Sequence, residues 1–237
     1  MRLLALLLAF AVSSAAAIET KVIKDVPYKD DVISQTPYEQ ERCKLDLTVP
    51  VGAKGFATYV WFYGGGLKKG SKDLASEYCA EIRESLAQAG IAVVTPDYRL
   101  SPKVKYPAYV DDAAAAFAWT VKHIGEHGGD PRKVFIGGHS AGATLALLVG
   151  MDPDRLKPHG LTLGSVAGIA QVSGQVLTHF TIREERGQPR YAITCDESAP
   201  AFHVRKTLPP VLTIYAQNDM LSRAEENQFF VTTLKAA

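Results

Sequence analysis

A serine flanked by glycines is the first group in this sequence that could do chemistry. Residues 138–142 read GHSAG and fit the pattern G-x-S-x-G, in which the serine stands at a sharp turn between a strand and a helix. The glycines let strand and helix approach closely, and the helix brings its positive N-terminal end near the serine oxygen. A buried strand predicted just before the motif and an apolar helix after it favour this interpretation over a plain glycine-rich turn. We therefore predict that Ser140 is a nucleophile.

A second glycine-rich stretch, residues 63–66 (YGGG), follows another predicted buried strand. Acyl transfer needs hydrogen-bond donors aimed at the oxygen that becomes negative, and backbone N–H groups in a glycine loop can supply them. We predict that the amides of Gly65 and Gly66 form an oxyanion hole with that of Ala141. The alternatives are a turn without chemistry and a phosphate-binding loop, but residues 66–71 (GLKKGS) fit a phosphate loop poorly.

The elements that must position these residues alternate along the chain. Strands are predicted at 44–49, 57–63, 91–95, 133–136, 165–172 and 211–215, and helices at 72–89, 111–124, 141–149 and 223–236. This alternation predicts an α/β fold with a mostly parallel sheet and helices on both faces. The segment 175–208 interrupts the pattern and is rich in charge and proline, so we predict that it is a small lid insertion over the site.

Length and charge narrow the function classes. A chain of 237 residues is enough for one sizeable domain and too short for two comfortable ones. The net charge is +1 and the basic residues are scattered, which argues against nucleic acid or an anionic membrane as a partner. Cys43, Cys79 and Cys195 are odd in number, so their pairing stays open, and their spacing indicates no metal site.

The first residues have the three parts of a secretory signal. A basic start is followed by an apolar run over 3–12 and by small residues that end at Ala17. The apolar run is too short to span a bilayer. We predict a signal peptide at 1–17, a domain at 18–237 without a membrane span, and export to the periplasm or the extracellular space. An N-terminal helix of the domain and a retained anchor are the alternatives.

Five motifs resemble, in the same order, those of the α/β-hydrolase carboxylesterases of the hormone-sensitive-lipase-like group, especially its bacterial secreted branch. They are WFYGGG at 61–66, DYRLSP at 97–102, YPAYVDD at 106–112, GGDPRKVFIGGHSAG at 128–142 and LPPVLTIYAQND at 208–219. The resemblance spans nearly all of the chain after residue 17. It implies an α/β-hydrolase fold and a serine carboxylic-ester hydrolase that acts on a small-molecule ester without a metal or organic cofactor. Asp97 and Asp112 match structural positions of the family, and Tyr63 stands where the family usually has histidine.

The resemblance also assigns the acid of the family's catalytic triad, whereas the sequence has no histidine at the place of the triad's base. Asp219 follows the last predicted strand and would orient and stabilise an imidazole, although it could instead cap the next helix. The family's histidine should follow this acid, but all 6 histidines lie upstream of it. We therefore expect a C-terminally incomplete domain that lacks its final strand and last helix. Among the upstream histidines, His203 is the best substitute, and the elbow should turn His139 away from the serine.

Two classes of function follow from these residues. The first is a serine esterase that forms an acyl-enzyme on Ser140, with peptidase or amidase activity as a weaker variant. The second is a non-catalytic binding protein on the same scaffold, which the missing base favours and the intact serine and glycine loop disfavour.

Overall fold

The computed structural model describes residues 17–29, 35–73 and 77–237. The predicted signal peptide lies outside the described residues except for Ala17. The strands are β1 (Thr20–Pro27), β2 (Lys44–Pro50), β3 (Phe56–Phe62), β4 (Ala92–Pro96), β5 (Gly129–His139), β6 (Gly168–Val172) and β7 (Val211–Ile214). The α-helices are α1 (Pro37–Arg42), α2 (Glu77–Gln88), α3 (Ala108–His123), α4 (Ala141–Met151), α5 (Pro153–Leu156), α6 (Phe180–Glu185) and α7 (Arg223–Ala236). Short 3-10 helices cover Ile124–His127, Lys157–His159, Leu163–Ser165 and Pro200–His203.

The strands form one 7-stranded sheet in the order β1-β2-β4-β3-β5-β6-β7. The first two strands pair antiparallel, and β2 also pairs antiparallel with β4. From β4 through β3, β5 and β6 to β7 all neighbours are parallel. The predicted α/β class with a mostly parallel sheet is therefore confirmed.

The strand order places the two glycine-rich segments side by side. The chain leaves β3 toward β4 on one side and later returns to β5 on the other, so a topological switch lies between β3 and β5. Ligands of open α/β sheets bind at such a switch, beyond the carboxyl ends of the strands. Because Phe62 is in register with Gly138, the loop after β3 and the turn after β5 emerge together at this edge.

Burial of apolar side chains explains why these elements pack as they do. Every residue of α4 is buried, which fits its unbroken apolar sequence AGATLALLVGM, and α3 buries a run of small side chains from Ala113 to Ala116 beside it. Small residues allow the helices to approach the sheet closely. The core side chains between this helix layer and the sheet include Val60, Phe62 and Ile136.

Several predicted boundaries differ from the observed ones, for local reasons. Lys72, where a helix is predicted to begin, is not helical: its amide binds the Asp97 carboxylate at 2.7 Å and its ammonium pairs with Asp46 at 2.9 Å, and the described helix covers Glu77–Gln88. The strand predicted from 165 begins at Gly168, after a 3-10 turn. The predicted helix 111–124 begins three residues earlier, at Ala108. The hydrophobic periodicity of the sequence did not predict β1 or the short α1.

The segment between β6 and β7 holds α6 and the 3-10 helix Pro200–His203. The hydroxyl of Thr181 in α6 donates to the carbonyl of Gly66 at 2.6 Å, so this segment rests on the glycine loop. Its role as a lid stays a prediction. In the part of the chain that the structure describes, no helix is both long and apolar enough to cross a membrane.

One end of the sheet leaves apolar surface open. β7 is the last strand of the sheet, and no described residue pairs with its outer edge. Leu212 and Ile214 on this strand are 56% and 50% exposed. An apolar groove of about 610 Å³ runs beside α2, where Tyr59, Trp61 and Phe135 line the face of the sheet.

Candidate active site

Ser140 adopts a strained backbone at the turn between β5 and α4. Its φ is 53° and its ψ is −119°, a combination that costs a residue with a Cβ about 1–3 kcal/mol. The Ser140 amide donates to the carbonyl of Val172 at 2.9 Å, and its carbonyl accepts from the Thr144 amide at 3.1 Å. These two hydrogen bonds tie the turn to β6 and to the first turn of α4, and so hold the strain in place.

The glycines that flank Ser140 are required by close backbone contacts. A Cβ on Gly138 would lie 2.4 Å from the carbonyl oxygen of Phe62, and one on Gly142 would lie 2.1 Å from the same atom. Real Cβ atoms do not approach so closely, so neither position accepts a side chain. The expected reason for the motif, close approach of strand and helix, is thereby confirmed.

The glycine loop after β3 lies against the serine. A Cβ on Gly64 would be 3.3 Å from the Cβ of Ser140. Gly65 and Gly66 have φ values of 118° and 66°, which favour glycine. Neither of their amides, nor that of Ala141, donates a hydrogen bond to another described residue. These three backbone donors therefore have no partner among the described residues.

The Tyr63 side chain anchors this loop. It is buried, stacks on Tyr98 with ring centroids 4.6 Å apart, and its hydroxyl accepts from the Arg42 guanidinium at 2.6 Å. Arg42 in turn pairs with Asp97 at 3.3 Å. Burial raises the pKa of the Tyr63 hydroxyl far above its usual value, so it stays protonated. Tyr63 therefore packs the loop and offers no proton-transfer group.

Asp219 follows β7 and thus reaches the same edge of the sheet as Ser140. One oxygen of its carboxylate accepts from the Met220 amide at 2.7 Å. The other, Oδ2, is buried and has no hydrogen-bond partner among the described residues. A buried carboxylate oxygen without a donor is costly and rare in folded proteins. This oxygen is therefore an acceptor that no described donor uses.

His139 lies within electrostatic reach of this acid but is not bonded to the serine. Partial burial lowers the pKa of His139, the Asp219 carboxylate opposes that fall, and the Arg223 guanidinium adds to it. The ring lies against Gly64. The Ser140 hydroxyl makes no hydrogen bond to His139 or to any other described residue. The expectation that the elbow turns His139 away from the serine agrees with this geometry.

His203, the substitute base proposed from the sequence, lies elsewhere. It is buried beside Asp152, 3.9 Å from that carboxylate, and its Nε2 contacts the carbonyl of Glu197 at 2.9 Å. Asp152 follows the last residue of α4, whereas Ser140 precedes the first. Since the two residues flank the 11 residues of α4, a rise of about 1.5 Å per residue separates them by about 18 Å. The structure therefore excludes direct proton transfer between Ser140 and His203.

His179, which the sequence suggests is a surface or structural residue, has a structural role. This histidine is fully buried and caps α6, where its Nδ1 accepts from the Thr181 amide at 3.1 Å. Its Nε2 has no partner among the described residues. Burial, helped by the nearby Arg223 and other cations, holds its pKa well below the usual range, so the ring is neutral. A histidine before a short helix gives no sequence signal that distinguishes it from an exposed one.

Asp112 has the structural position that the resemblance implies. It is fully buried and accepts two hydrogen bonds of 2.8 Å from the Arg99 guanidinium. Lys29 adds an ion pair at 2.7 Å. These contacts join α3 to the segment after β4. Neither Asp112 nor its partners approach the serine through any contact described above.

Comparison with known proteins agrees with the fold and the elbow. Residues 45–167, just over half of the chain, match the BD-FAE family. The chain belongs to the BD-FAE family. The part that matches BD-FAE begins in β2 and ends before β6, so it contains the glycine loop and Ser140. Asp219 lies outside it.

Named relatives and solved structures extend the BD-FAE match. Lipase 2 of Moraxella sp. is 39% identical over 93 residues, which are 39% of this chain and 21% of that protein. Esterase LipI of Mycobacterium tuberculosis is 37% identical over 158 residues, 54% of this chain and 48% of that one. The solved Thermogutta terrifontis esterase 2, phosphoramylated by tabun, is 26% identical with a TM-score of 0.70 and aligns with 94% of this chain and 80% of its own. The chain therefore has the α/β-hydrolase fold and esterase relatives, and it spans less than half the length of the two curated relatives.

Proposed function

We propose that this site hydrolyses small-molecule esters through an acyl-enzyme on Ser140. The observation that carries the proposal is the strained serine held in contact with a glycine loop whose amides are unpaired. A carboxylic ester would place its carbonyl carbon at the Ser140 oxygen and its carbonyl oxygen at the amides of Gly65, Gly66 and Ala141. A base takes the Ser140 proton as the oxygen attacks and gives it to the departing alkoxide, so that the alcohol leaves and the acyl group stays on the serine. Water then loses a proton to the base as it attacks the acyl-serine, and the serine oxygen takes that proton back as the acid is released. The esterase names of the relatives support this reaction class.

Asp219 is proposed as the acid that orients the base. Its unpartnered Oδ2 supports this role, because an imidazole N–H donated to that oxygen would fix the ring and stabilise its protonated form. No histidine follows Asp219 in these 237 residues. We propose that the base is an imidazole that the described site does not itself contain. Loss of a triad histidine lowers kcat on the order of 10⁶-fold, with residual catalysis from the oxyanion hole.

Imidazole supplied in solution tests both proposals together. We expect a fluorophosphonate probe to label Ser140 slowly, and labelling and p-nitrophenyl acetate turnover to rise with imidazole concentration. Ser140→Ala is the control for the hydrolysis that imidazole catalyses by itself. Asp219→Asn should keep the slow labelling and lose most of the rescue, since a neutral amide does not stabilise imidazolium. Absence of Ser140 labelling at every imidazole concentration would contradict the esterase proposal.

The second candidate is a non-catalytic binding protein on the same scaffold, which the missing base favours. It predicts that esters bind without acylating the serine. Intact-mass spectrometry after incubation with p-nitrophenyl acetate separates the two. An acetyl adduct that disappears in Ser140→Ala supports the enzyme, whereas ester binding without an adduct supports the binding protein.

We also propose that the chain is exported, on the basis of the signal pattern in residues 1–17. N-terminal sequencing of protein recovered from the periplasm or culture medium should begin near Ile18. Recovery of the full-length chain from the cytoplasm alone would contradict export.

A further inference from the structure

A small cavity rich in arginine lies between α6 and the start of α7. Its volume is about 30 Å³, and its lining includes Arg183, Arg190 and Arg223 but no aspartate or glutamate. Phe180 and Gln175 also line it. The size suits a small polar group of a ligand, and the lining favours one that carries negative charge.

Two of these guanidinium groups are buried without a counter-ion. Arg183 and Arg223 are each only 3% exposed. No carboxylate of the described residues lies within 4.0 Å of either one. Burial lowers the pKa of both, which is the response of a cation that has lost its water without gaining a partner. Buried charges in folded proteins are normally paired, so this arrangement calls for an explanation.

The nearest carboxylates attract the two arginines only from beyond ion-pair distance. Asp219, whose Oδ2 has no hydrogen-bond partner among the described residues, attracts Arg223 in this way. Glu226 attracts both arginines at longer range, but its Oε2 accepts from the amides of Val176 and Leu177 at 3.2 and 3.3 Å. Its Oε1 accepts from Gln175 and Ser222 at 3.4 and 3.3 Å. Glu226 therefore holds the backbone in place, and neither guanidinium group has a carboxylate of the described residues within ion-pair distance.

The arginines themselves retain unused donors. Arg183 donates through Nη1 to the carbonyl of Ala192, and its Nε is buried with no hydrogen-bond partner among the described residues. Arg223 donates through Nη1 to the carbonyl of Ser173. Arg190, at the rim, is paired with Glu184 at 3.0 Å and lies 3.8 Å over the Phe180 ring. The two buried arginines are therefore the lining cations that have no carboxylate of the described residues within ion-pair distance.

The cavity borders the proposed catalytic groups. Arg223 bonds to Ser173, the residue after Val172, whose carbonyl accepts the Ser140 amide at 2.9 Å. On the opposite wall, the Phe180 ring would be 3.1 Å from a Cβ on Gly66 in the glycine loop. An ester bound at Ser140 could therefore extend a short chain into the cavity.

We propose that this cavity binds a carboxylate carried by the ester substrate, so that the preferred substrates are anionic half-esters. A carboxylate there would receive charge-assisted hydrogen bonds from guanidinium groups, whose planar donors match its two oxygens. This inference rests on the proposed esterase function and names its substrate class. It also explains why two cations are kept buried beside a reactive serine.

Binding of a matched ligand pair tests the inference without turnover. The Ser140→Ala chain is titrated by calorimetry with monomethyl succinate and with its neutral amide, methyl succinamate. Charge-assisted bonds predict about tenfold tighter binding of the anion. Arg183→Met, similar in length but uncharged, should remove this preference and raise the melting temperature of the free protein, because an unpaired buried charge is removed. Equal affinity for the two ligands would overturn the proposal.

Arg190→Gln and Arg186→Gln provide a matched comparison at the surface. Both arginines are partly exposed and ion-paired in the same segment, Arg190 with Glu184 at 3.0 Å and Arg186 with Asp196 at 2.7 Å, but Arg186 does not line the cavity. Only Arg190→Gln should lower the affinity for monomethyl succinate, by about threefold. If Arg183→Met does not fold, the comparison of Arg190→Gln with Arg186→Gln tests the proposal instead. Equal affinities of these two variants for monomethyl succinate would overturn it.

Fluorophosphonate labelling of the wild-type chain distinguishes failure of the esterase proposal from failure of the proposed carboxylate site. Labelling of Ser140 with no preference for monomethyl succinate would overturn the anion site and leave the esterase intact. Preference for the anion without labelling would support the anion site and contradict the esterase.

Discussion

At the scale of single residues, the unusual backbone of Ser140 deserves most weight. The motif G-x-S-x-G predicted the serine and its glycines from their spacing alone. The φ of 53° explains what the spacing is for, since the strained turn between β5 and α4 needs glycines on both sides, and it places the Ser140 Cβ 3.3 Å from a Cβ built on Gly64. Strain of this kind persists where the surrounding contacts impose it, and it clusters at functional sites.

The strain predicts a stability difference between two substitutions of Ser140. Ser140→Gly should increase the free energy of unfolding by about 1 kcal/mol relative to Ser140→Ala, because glycine adopts a positive φ without a Cβ penalty. Both variants lose the hydroxyl, so the comparison isolates the backbone. Urea unfolding monitored by tryptophan fluorescence measures the difference. An alanine variant as stable as the glycine variant would show that the turn is unstrained.

The sequence could not reveal the buried cations. From the sequence, Arg183 is an ordinary charged residue of a surface insertion, and Arg223 is an ordinary charged residue at the exposed end of a helix. Their burial depends on how the β6–β7 segment folds over the glycine loop, and no periodicity encodes that. The same holds for His179. By contrast, Asp219 could be predicted because it follows a strand whose carboxyl end must reach the edge where Ser140 lies.

At the scale of elements, α4 is held in place by apolar packing alone, whereas α3 is also held by a buried polar residue. α4 is apolar all round and fully buried, so its position follows from packing. α3 is fixed in addition by Asp112, which no pattern of hydrophobicity could identify as buried. The long buried elements were therefore predicted within a few residues, whereas β1 and α1, which depend on edge pairing and capping, were missed.

Substitution of Asp112 tests the importance of this polar anchor. Asp112→Asn should cost about 3–5 kcal/mol of unfolding free energy, because it leaves Arg99 and Lys29 beside a neutral group in a buried place. Asp111→Asn is the matched control: its side chain is 53% exposed and pairs with Arg155, so the cost should stay below about 1 kcal/mol. Denaturant midpoints measure both. Equal midpoints for the two variants would refute a structural role for Asp112.

At the scale of the whole molecule, one end of the sheet is left uncovered in the part of the chain that the structure describes. The groove beside α2 and the exposed side chains of β7 form a continuous apolar surface next to an unpaired strand edge. Unpaired edges of this kind template contacts between chains. We expect this chain to self-associate as its concentration rises.

A single lysine on this edge should reduce the association. Leu212→Lys places a charge in the middle of β7, where its side chain is 56% exposed, and charged edge residues oppose strand pairing. Val22→Lys on β1 is the matched control, since Val22 is 47% exposed on the other edge strand. Light scattering across a concentration series measures the effect. Equal scattering by the two variants would place the self-association elsewhere.

The contacts of Gly138 and Gly142 with the carbonyl of Phe62 have a consequence for natural variation in this gene. A change at either of the first two bases of a glycine codon replaces the glycine, and a side chain at these positions collides with the backbone of the central strand. Such alleles should be purged whether or not the protein is an enzyme. Ser140 itself is free of that constraint. Among natural variants, retained glycines therefore report only that the chain folds, while a retained serine reports that its chemistry is under selection.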